Sequence, residues 1–191
     1  MADSNQIPQH LGLILDGNRR WARAEGLPTL EGHRRGYENL KTIAREAFHS
    51  GVDYVSAYIF SIENWNRAKE EVDYLMNLAI KMAQRDLREL IAENIKIVVL
   101  GIEDRVPKKV IDAWRQAEED SRNNTGGMLA LCFNYGGFRE ITDAVKNIVQ
   151  TGIGAEDITD DLVKEHLYLP EIPPVDLMIR TSGEQRLSGF M

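Results

Sequence analysis

Three short polar segments each follow an apolar run, and each carries side chains that are suited to binding anions. These segments are residues 16–21, 60–67 and 180–188. In the first of them, Asp16 is a reasonable Mg²⁺ ligand, since Mg²⁺ usually takes one or two carboxylates together with phosphate oxygens. Gly17 permits close approach of the backbone, and the free N–H groups at the start of a following helix attract anions. The predicted chemistry is therefore the binding of a phosphate or diphosphate.

The first segment joins a strand to a helix and reads Asp16-Gly17-Asn18-Arg19-Arg20-Trp21. Arg19 and Arg20 add charge-assisted contacts to an anion. An ordinary turn, in which Asp16 or Asn18 caps the helix, is equally compatible with these residue types. The chain contains no G-x-x-x-x-G-K-[ST] loop, and no G-x-G-x-x-G turn follows the strand, so the segment belongs to neither standard nucleotide-binding class.

The second segment offers hydrogen-bond donors and apolar walls, and it reads Phe60-Ser61-Ile62-Glu63-Asn64-Trp65-Asn66-Arg67. The donors are Ser61, Asn64 and Arg67, and the walls are Phe60 and Trp65. The alternative interpretation makes Trp65 a core residue and Glu63–Arg67 an ordinary i,i+4 ion pair. Taken alone, this segment favours the alternative.

The third segment contains two arginines and two serines around a glycine, and it reads Arg180-Thr181-Ser182-Gly183-Glu184-Gln185-Arg186-Leu187-Ser188. This composition suits a second diphosphate clamp, because guanidinium groups match the geometry of phosphate oxygens. A solvated loop is the alternative. A further candidate, His33, follows a glycine at the start of a predicted helix, where a histidine is more often a cap or packing residue than a catalyst.

The three segments must be positioned by strands that alternate with amphipathic helices. The sequence predicts strands at 11–15, 52–60, 95–100, 128–134 and 175–179, and helices at 32–50, 70–94, 108–122 and 138–150. This alternation implies right-handed crossovers and an α/β fold with a single, mainly parallel sheet that has helices on both faces. Ligands of such sheets bind beyond the carboxyl ends of the strands, where the three segments lie. We expect one domain over residues 1–191, with a flexible connection at 152–157.

Composition restricts the class of protein. The formal net charge of −7 argues against a nucleic-acid-binding protein, whose footprint is usually basic. The single cysteine, Cys132, lies in an apolar run and is expected to be a small core residue in a reducing compartment. The chain shows no secretory signal and no apolar run of the roughly 20 residues that cross a bilayer, so we expect a cytoplasmic protein. Two anion sites beside the apolar helix at 70–94 suit hydrocarbons that carry a diphosphate.

At these residues the chain resembles the cis-prenyltransferase family, which includes undecaprenyl diphosphate synthases. Five motifs match that family in order, namely residues 10–22, Gly32-His33, residues 60–67, Asn134-Tyr135-Gly136-Gly137 and residues 180–188. The similarity extends over residues 10–191. It implies an undecaprenyl diphosphate synthase-like fold, in which helices wrap a parallel sheet around an apolar tunnel, and a homodimer. The long helix at 70–94 would line the tunnel.

The resemblance also implies roles for the matching side chains. Asp16 binds Mg²⁺ and helps the allylic diphosphate to leave, and Asn64 and His33 lie close to the chemistry. The allylic diphosphate is held by Gly17, Asn18 and Arg20, and isopentenyl diphosphate is held by Arg180, Arg186 and Ser188. The other residues expected to contact substrate are Arg19, Trp21, Phe60, Ser61, Glu63, Trp65, Arg67 and Glu71. The implied reaction extends an allylic prenyl diphosphate such as farnesyl diphosphate to a Z-polyprenyl diphosphate such as undecaprenyl diphosphate, and so apolar a product implies peripheral membrane contact.

Two departures from the family pattern leave an alternative open. The chain stops at Phe190-Met191, whereas the family continues into a helix with a second metal-binding glutamate, so we expect the C-terminal part of the domain to be missing. Thr29 stands where relatives commonly have an arginine, for which Arg34 or Arg35 is a candidate substitute. A non-catalytic member of the same fold is therefore the alternative to the transferase. An unrelated phosphate-binding hydrolase is a third hypothesis, but the chain lacks a G-x-S-x-G motif.

Overall fold

The strands of the sheet are β1 (His10–Ile14), β2 (Tyr54–Ser61), β3 (Lys96–Leu100), β4 (Met128–Tyr135) and β5 (Leu177–Arg180). They lie in the order β3-β4-β2-β1-β5 in a computed structural model that describes residues 7–191. All four neighbouring pairs run parallel. The predicted α/β fold with a single parallel sheet is confirmed, and the carboxyl ends of the strands share one edge.

Seven α-helices surround the sheet within the described residues. They are α1 (Asn18–Ala24), α2 (Thr29–His49), α3 (Lys69–Lys81), α4 (Leu87–Ala92), α5 (Lys108–Ser121), α6 (Gly137–Thr151) and α7 (Asp160–Glu165). Short 3₁₀ turns occupy Ile62–Asn66, Ala155–Asp157 and Thr181–Gly183. The prediction had no counterpart of α7, which is only six residues long.

The prediction of a single long helix at 70–94 was wrong in one respect, because a π-helical turn at Met82–Asp86 separates α3 from α4. Met82, Ala83 and Leu87 are all buried across this turn. A π turn widens the helix locally without removing residues from the buried face, so the apolar spacing did not reveal it. The turn lies beside the candidate site, since Met82 lines the cavity described below.

Side chains alternate along each strand and so fill a core on both faces of the sheet. In β4, Leu129 and Leu131 face the core that α2, α3 and α5 cover. Ala130 and Cys132 face the opposite core, which Leu169 and Phe190 complete. Cys132 is fully buried, as expected for a core residue, and burial raises the pKa of its thiol. Both faces are therefore packed, and the polar segments are left at the strand ends.

Close packing of α1 against α2 fixes the first polar segment. A side chain on Gly36 of α2 would collide with the side-chain amide of Asn18, the first residue of α1. This contact explains why a glycine stands in the middle of a long helix, where it costs roughly 1 kcal/mol relative to alanine. Gly36 therefore lowers the intrinsic stability of α2 but allows α1 to pack closely against it.

Candidate active site

A cavity of about 520 Å³ opens at the carboxyl ends of β1, β2 and β5. Its polar wall comes from the segments that follow these strands and from the start of α1. Its apolar wall comes from α2, α3 and the neighbouring strands, and includes Leu40, Leu75, Leu78, Ala79 and Met82. A cavity lined by both charged and apolar side chains suits a molecule that has an anionic head and a hydrocarbon tail.

The structure brings most of the predicted site residues into this one cavity. Those that line it are Asp16, Gly17, Asn18, Arg19, Arg20, His33, Phe60, Ser61, Asn64, Arg67, Arg180 and Ser188. Those that do not line it are Trp21, Glu63, Trp65, Glu71 and Arg186. The segments that the sequence placed after three different strands are therefore neighbours in space.

The carboxylate of Asp16 lies at the tip of β1, where it contacts three donors. Arg180 donates to Oδ2 from Nη2 at 2.8 Å and from Nε at 3.2 Å, and the Gly17 N–H donates to Oδ1 at 2.6 Å. The Arg20 guanidinium lies 3.5 Å from Oδ1. Partial burial raises the pKa of Asp16, but the hydrogen bonds from Arg180 and Gly17 outweigh burial, so the pKa lies below its ordinary value. Asp16 is therefore an anion at neutral pH.

The turn between β1 and α1 requires a glycine. Gly17 adopts a φ of 88°, in the left-handed region, and a side chain there would also collide with Ser182. Gly17 is the N-cap of α1, and no side chain caps this helix. Neither Asp16 nor Asn18 caps the helix, so the alternative interpretation of this turn was wrong.

The segment after β2 is closed by a reciprocal pair of hydrogen bonds. The Ser61 N–H donates to Asn64 Oδ1 at 3.3 Å, and Asn64 Nδ2 donates to Ser61 Oγ at 2.9 Å. This capping box holds the 3₁₀ turn in which Asn64 faces the cavity. Arg67 forms its ion pair with Glu71 at 3.1 Å and none with Glu63, so the alternative i,i+4 pairing was wrong.

Trp65 is clamped behind the cavity wall, where it is partly buried. Its Nε1–H donates to Asn134 Oδ1 at 2.7 Å, and Asn134 Nδ2 donates to the carbonyl oxygens of Ile102 and Asp104 at 2.7 and 2.8 Å. The Arg105 guanidinium lies 4.7 Å from the centre of the Trp65 ring. Trp65 packs edge-on against Phe60, a residue that does line the cavity. In this conformation Trp65 is a packing residue, as the alternative interpretation of the segment predicted.

The segment after β5 folds back over Asp16. Arg180 donates from Nη1 to Ser188 Oγ at 2.9 Å and to the carbonyl oxygen of Arg186. The Thr181 hydroxyl accepts from the Asp16 N–H at 3.0 Å and donates to the Asp16 carbonyl at 2.6 Å. The side chain of Arg186 pairs with Glu184. The segment is thus an ordered loop joined to β1 by hydrogen bonds rather than a freely solvated one.

His33 and Glu71 form a buried pair at the cavity wall. His33 Nε2 lies 2.9 Å from Glu71 Oε1, and both residues are 8% exposed. Burial lowers the pKa of His33, and the Arg67 and Arg19 charges lower it further, while the hydrogen bond to Glu71 acts in the opposite direction. The net shift is downward, so His33 is neutral near pH 7.

Several residues that line the cavity are not among the site residues predicted from the sequence. Arg23 lies one turn after Arg19 and Arg20 on α1, and this helical spacing was the available signal. Tyr37 and Tyr58 gave no such signal, since aromatic residues in a buried helix or strand usually belong to the core. Arg34 and Arg35 do not line the cavity. Both pair with Glu31 on α2.

Carboxylates are scarce at this site. No three His, Cys, Asp or Glu side chains within residues 7–191 come together as a metal-binding group. Among the described residues that line the cavity, Asp16 is the one carboxylate. None of the helices within residues 7–191 has the length and apolar character needed to cross a bilayer.

Comparison with known proteins gives consistent matches over nearly the whole chain. The family model described as putative undecaprenyl diphosphate synthase matches residues 14–191. The isoprenyl transferase of Thermotoga maritima is 42% identical over 188 residues, which cover 97% of this chain and 81% of that protein. The isoprenyl transferase of Staphylococcus haemolyticus is 41% identical over 193 residues, covering 99% of this chain and 75% of that protein.

Among the solved structures that resemble this fold are two proteins of prenyl diphosphate metabolism by name. Lavandulyl diphosphate synthase from Lavandula x intermedia, in complex with dimethylallyl diphosphate, superposes with a TM-score of 0.93 at 35% identity, covering 96% of this chain and 81% of that chain. A probable undecaprenyl diphosphate synthase from Campylobacter jejuni superposes with a TM-score of 0.79 at 25% identity, covering 97% and 80%. The sheet and its flanking helices thus match those of proteins named for prenyl diphosphate chemistry.

Proposed function

The chain belongs to the undecaprenyl diphosphate synthase family of isoprenyl transferases, and from this premise we propose that it joins isopentenyl diphosphate to an allylic prenyl diphosphate. The proposed acceptor is farnesyl diphosphate, and the proposed product is a longer Z-polyprenyl diphosphate such as undecaprenyl diphosphate. One observation carries the proposal. Arginines from α1 and from the segments after β2 and β5 line one cavity together with Asp16, and apolar side chains line the rest of it.

We divide the arginines that line the cavity into two groups and assign each group to one of two diphosphate sites. Arg19, Arg20 and Arg23 of α1 form the first group, beside the backbone of Gly17. Arg67 and Arg180 form the second, together with Ser61 and Ser188. Guanidinium groups bind phosphate oxygens through paired hydrogen bonds, which fixes the orientation of each head group as well as its position. The apolar wall then receives the hydrocarbon chain of the allylic substrate.

In the proposed reaction, the C1–O bond of the allylic diphosphate breaks and its electron pair leaves with the diphosphate. The double bond of isopentenyl diphosphate then forms the new carbon–carbon bond to C1, and loss of a proton restores a double bond. The arginines around Asp16 stabilise the departing diphosphate. Holding both substrates in one cavity makes the bond-forming step effectively intramolecular, and the apolar wall keeps water from the allylic cation.

We propose that Mg²⁺ takes part and that Asp16 holds it. The donor set fits this ion, because Mg²⁺ is usually bound by one or two carboxylates together with phosphate oxygens rather than by a cage of protein ligands. When bound, the ion would neutralise the departing diphosphate. Before then, Arg180 occupies Oδ2 of Asp16, so the guanidinium must yield that oxygen or share the carboxylate.

A homodimer in the cytoplasm completes the proposal. An exposed apolar stripe on α6 supports self-association, and it consists of Phe138, Ile141, Val145 and Val149. These residues are three and four positions apart and lie on one face of the helix, and such patches mark interaction sites. The buried thiol of Cys132 suits a reducing compartment. We further propose that the apolar product is passed to a bilayer through peripheral contact.

The test is incubation of the protein with farnesyl diphosphate, ¹⁴C-labelled isopentenyl diphosphate and Mg²⁺, followed by chromatography of the products. Labelled prenyl diphosphates longer than farnesyl diphosphate are the expected result. Binding of both substrates without turnover would identify a non-catalytic member of the fold, and release of phosphate without chain extension would identify a hydrolase. Either of the last two outcomes would overturn the proposal.

A further inference from the structure

One carboxylate oxygen joins three of the basic side chains that line the cavity. Glu71 Oε1 lies 2.9 Å from His33 Nε2, 3.1 Å from Arg67 Nη1 and 3.8 Å from Arg19 Nε. These three partners come from α2, from the loop before α3 and from α1, and each of them lines the cavity. Glu71 itself, in the first turn of α3, does not line it.

Glu71 is an anion in this arrangement. Burial raises its pKa, but the hydrogen bond from His33 and the charges of Arg67 and Arg19 outweigh burial, so the pKa lies below its ordinary value. An ionised carboxylate has no proton to donate and only accepts hydrogen bonds. The hydrogen bond between the two side chains therefore requires that His33 carry its proton on Nε2.

A neutral His33 with its proton on Nε2 has a free lone pair on Nδ1. Burial keeps the imidazole neutral by lowering its pKa, and the two arginines beside Glu71 lower the pKa further because they disfavour another positive charge. Nδ1 of His33 forms no hydrogen bond with any residue in the range 7–191, whereas Nε2 is committed to Glu71. A histidine whose tautomer is set by a second residue is a common way to prepare one ring nitrogen for chemistry.

We propose that Glu71 is a positioning residue, which fixes His33 as the Nε2–H tautomer and holds Arg67 and Arg19 at the diphosphate-binding wall. In this role it acts through its three partners and does not contact substrate, contrary to the contact that the family resemblance implied. The inference rests on the proposed function only for the identity of the ligand. The placement of the three basic groups follows from the geometry of Glu71.

The tautomer is tested directly by long-range ¹H–¹⁵N NMR of the imidazole nitrogens. The chain has four histidines, and loss of one signal set in His33→Asn assigns His33. The expected result is an Nε2–H imidazole in the wild type, a mixture of tautomers in Glu71→Ala, and retention of the Nε2–H form in Glu71→Asp. A wild-type His33 with its proton on Nδ1 overturns the inference, and this measurement needs no catalytic activity.

The kinetic test compares Glu71→Gln with Glu70→Gln, which removes the same charge from the exposed neighbouring position. Glu71→Gln is expected to lower kcat/KM by about 10- to 100-fold, with a rise in the KM for isopentenyl diphosphate, because misplacement of positioned groups by about 1 Å has effects of this size. Glu70→Gln is expected to match the wild type. Equal kinetics for the two variants refute the positioning role, whereas an inactive wild type refutes the proposed function and leaves the NMR result to decide on Glu71.

Discussion

The Arg180 guanidinium at the end of β5 donates two hydrogen bonds to one carboxylate oxygen of Asp16, which follows β1. The two strands are adjacent in the sheet, so the ion pair closes the polar wall of the cavity. Arg180 also binds Ser188 and is largely buried, with a side chain 9% exposed. A cation that binds Asp16 must therefore compete with the guanidinium of Arg180. A substitution of Asp16 tests this relationship directly.

Asp16→Asn is expected to lower Mg²⁺-dependent kcat/KM by at least about 100-fold, because a neutral amide cannot hold the ion or balance the Arg180 charge. The fold should survive, since Arg180 keeps its bond to Ser188. Steady-state assays across a Mg²⁺ titration, with thermal melting in parallel, measure both effects. Asp73→Asn, at an exposed position on α3, is the matched control. Unchanged Mg²⁺ dependence in Asp16→Asn would contradict the metal assignment.

Ala79→Leu is expected to shorten the products by one or more isoprene units. Ala79 is buried and lines the apolar wall of the cavity, so a larger side chain there reduces the space for the growing hydrocarbon. Chromatography of the chain lengths formed from farnesyl diphosphate makes the measurement. Asn77→Leu introduces the same side chain at an exposed position of α3 and should leave the distribution unaltered. An unaltered distribution in Ala79→Leu would show that the hydrocarbon lies elsewhere.

Asn134→Asp is expected to destabilise the fold by about 2–3 kcal/mol, because a buried carboxylate cannot donate to the carbonyl oxygens of Ile102 and Asp104. The KM for isopentenyl diphosphate should also rise, since Asn134 holds Trp65 behind the cavity wall. Urea denaturation measures the free energy of unfolding. The same change at exposed Asn123 should stay within about 0.5 kcal/mol of the wild type. Equal stability of the two variants would show that the hydrogen bonds of Asn134 do not stabilise this part of the site.

His10 is expected to make the protein less stable as the pH falls below about 6.5. Burial lowers the pKa of His10 and outweighs the Pro173 carbonyl and the Asp176 carboxylate, which raise it. At acidic pH the unfolded chain therefore binds more protons than the folded chain. The contribution of His10 to the free energy of unfolding is fully present above the pKa that His10 has in the unfolded chain. It is lost as the pH falls through the lower pKa that His10 has in the folded chain. His33 has the same direction of shift and adds to the effect.

His10→Asn should therefore cost about 1–3 kcal/mol at pH 7.5, because the ring bonds both Ser56 and the Pro173 carbonyl. The further loss of stability between pH 7.5 and 5.5 should be smaller in this variant than in the wild type. Urea denaturation at several pH values measures both quantities. His49→Asn, at an exposed position, is the control. An identical pH dependence in His10→Asn and in the wild type would exclude His10 as its source.

Val149→Lys is expected to dissociate the proposed homodimer, because it places a charge in the apolar stripe of α6, where Val149 is 65% exposed. Size-exclusion chromatography with light scattering should then report half the wild-type mass. Gln150→Lys adds a charge at the neighbouring exposed position and should leave the assembly intact. A wild-type protein that is monomeric over the micromolar range would refute the dimer itself.

Much of the fold and of the cavity followed from patterns that are local in the sequence. Each predicted strand agrees with the structure to within about two residues, because continuous apolar runs bounded by polar turns are typical of buried parallel strands. Asp16, Asn64 and Arg180 were expected to lie together, because each follows a strand and parallel strands end at one edge. The π turn at Met82–Asp86 was not expected, since it preserves the buried face.

The sequence by itself thus determined the parallel α/β sheet and the edge at which the polar residues gather, because hydrophobic periodicity and strand-end chemistry are encoded locally. Only the tertiary structure decided which partner each polar group takes. Arg67 pairs with Glu71 and not with Glu63, although both lie four positions away, and Trp65 donates to Asn134, which is 69 positions away in the chain. Hydrogen bonds and ion pairs depend on the direction of a side chain as well as its position, and that direction is set by the packing of α2, α3 and the sheet.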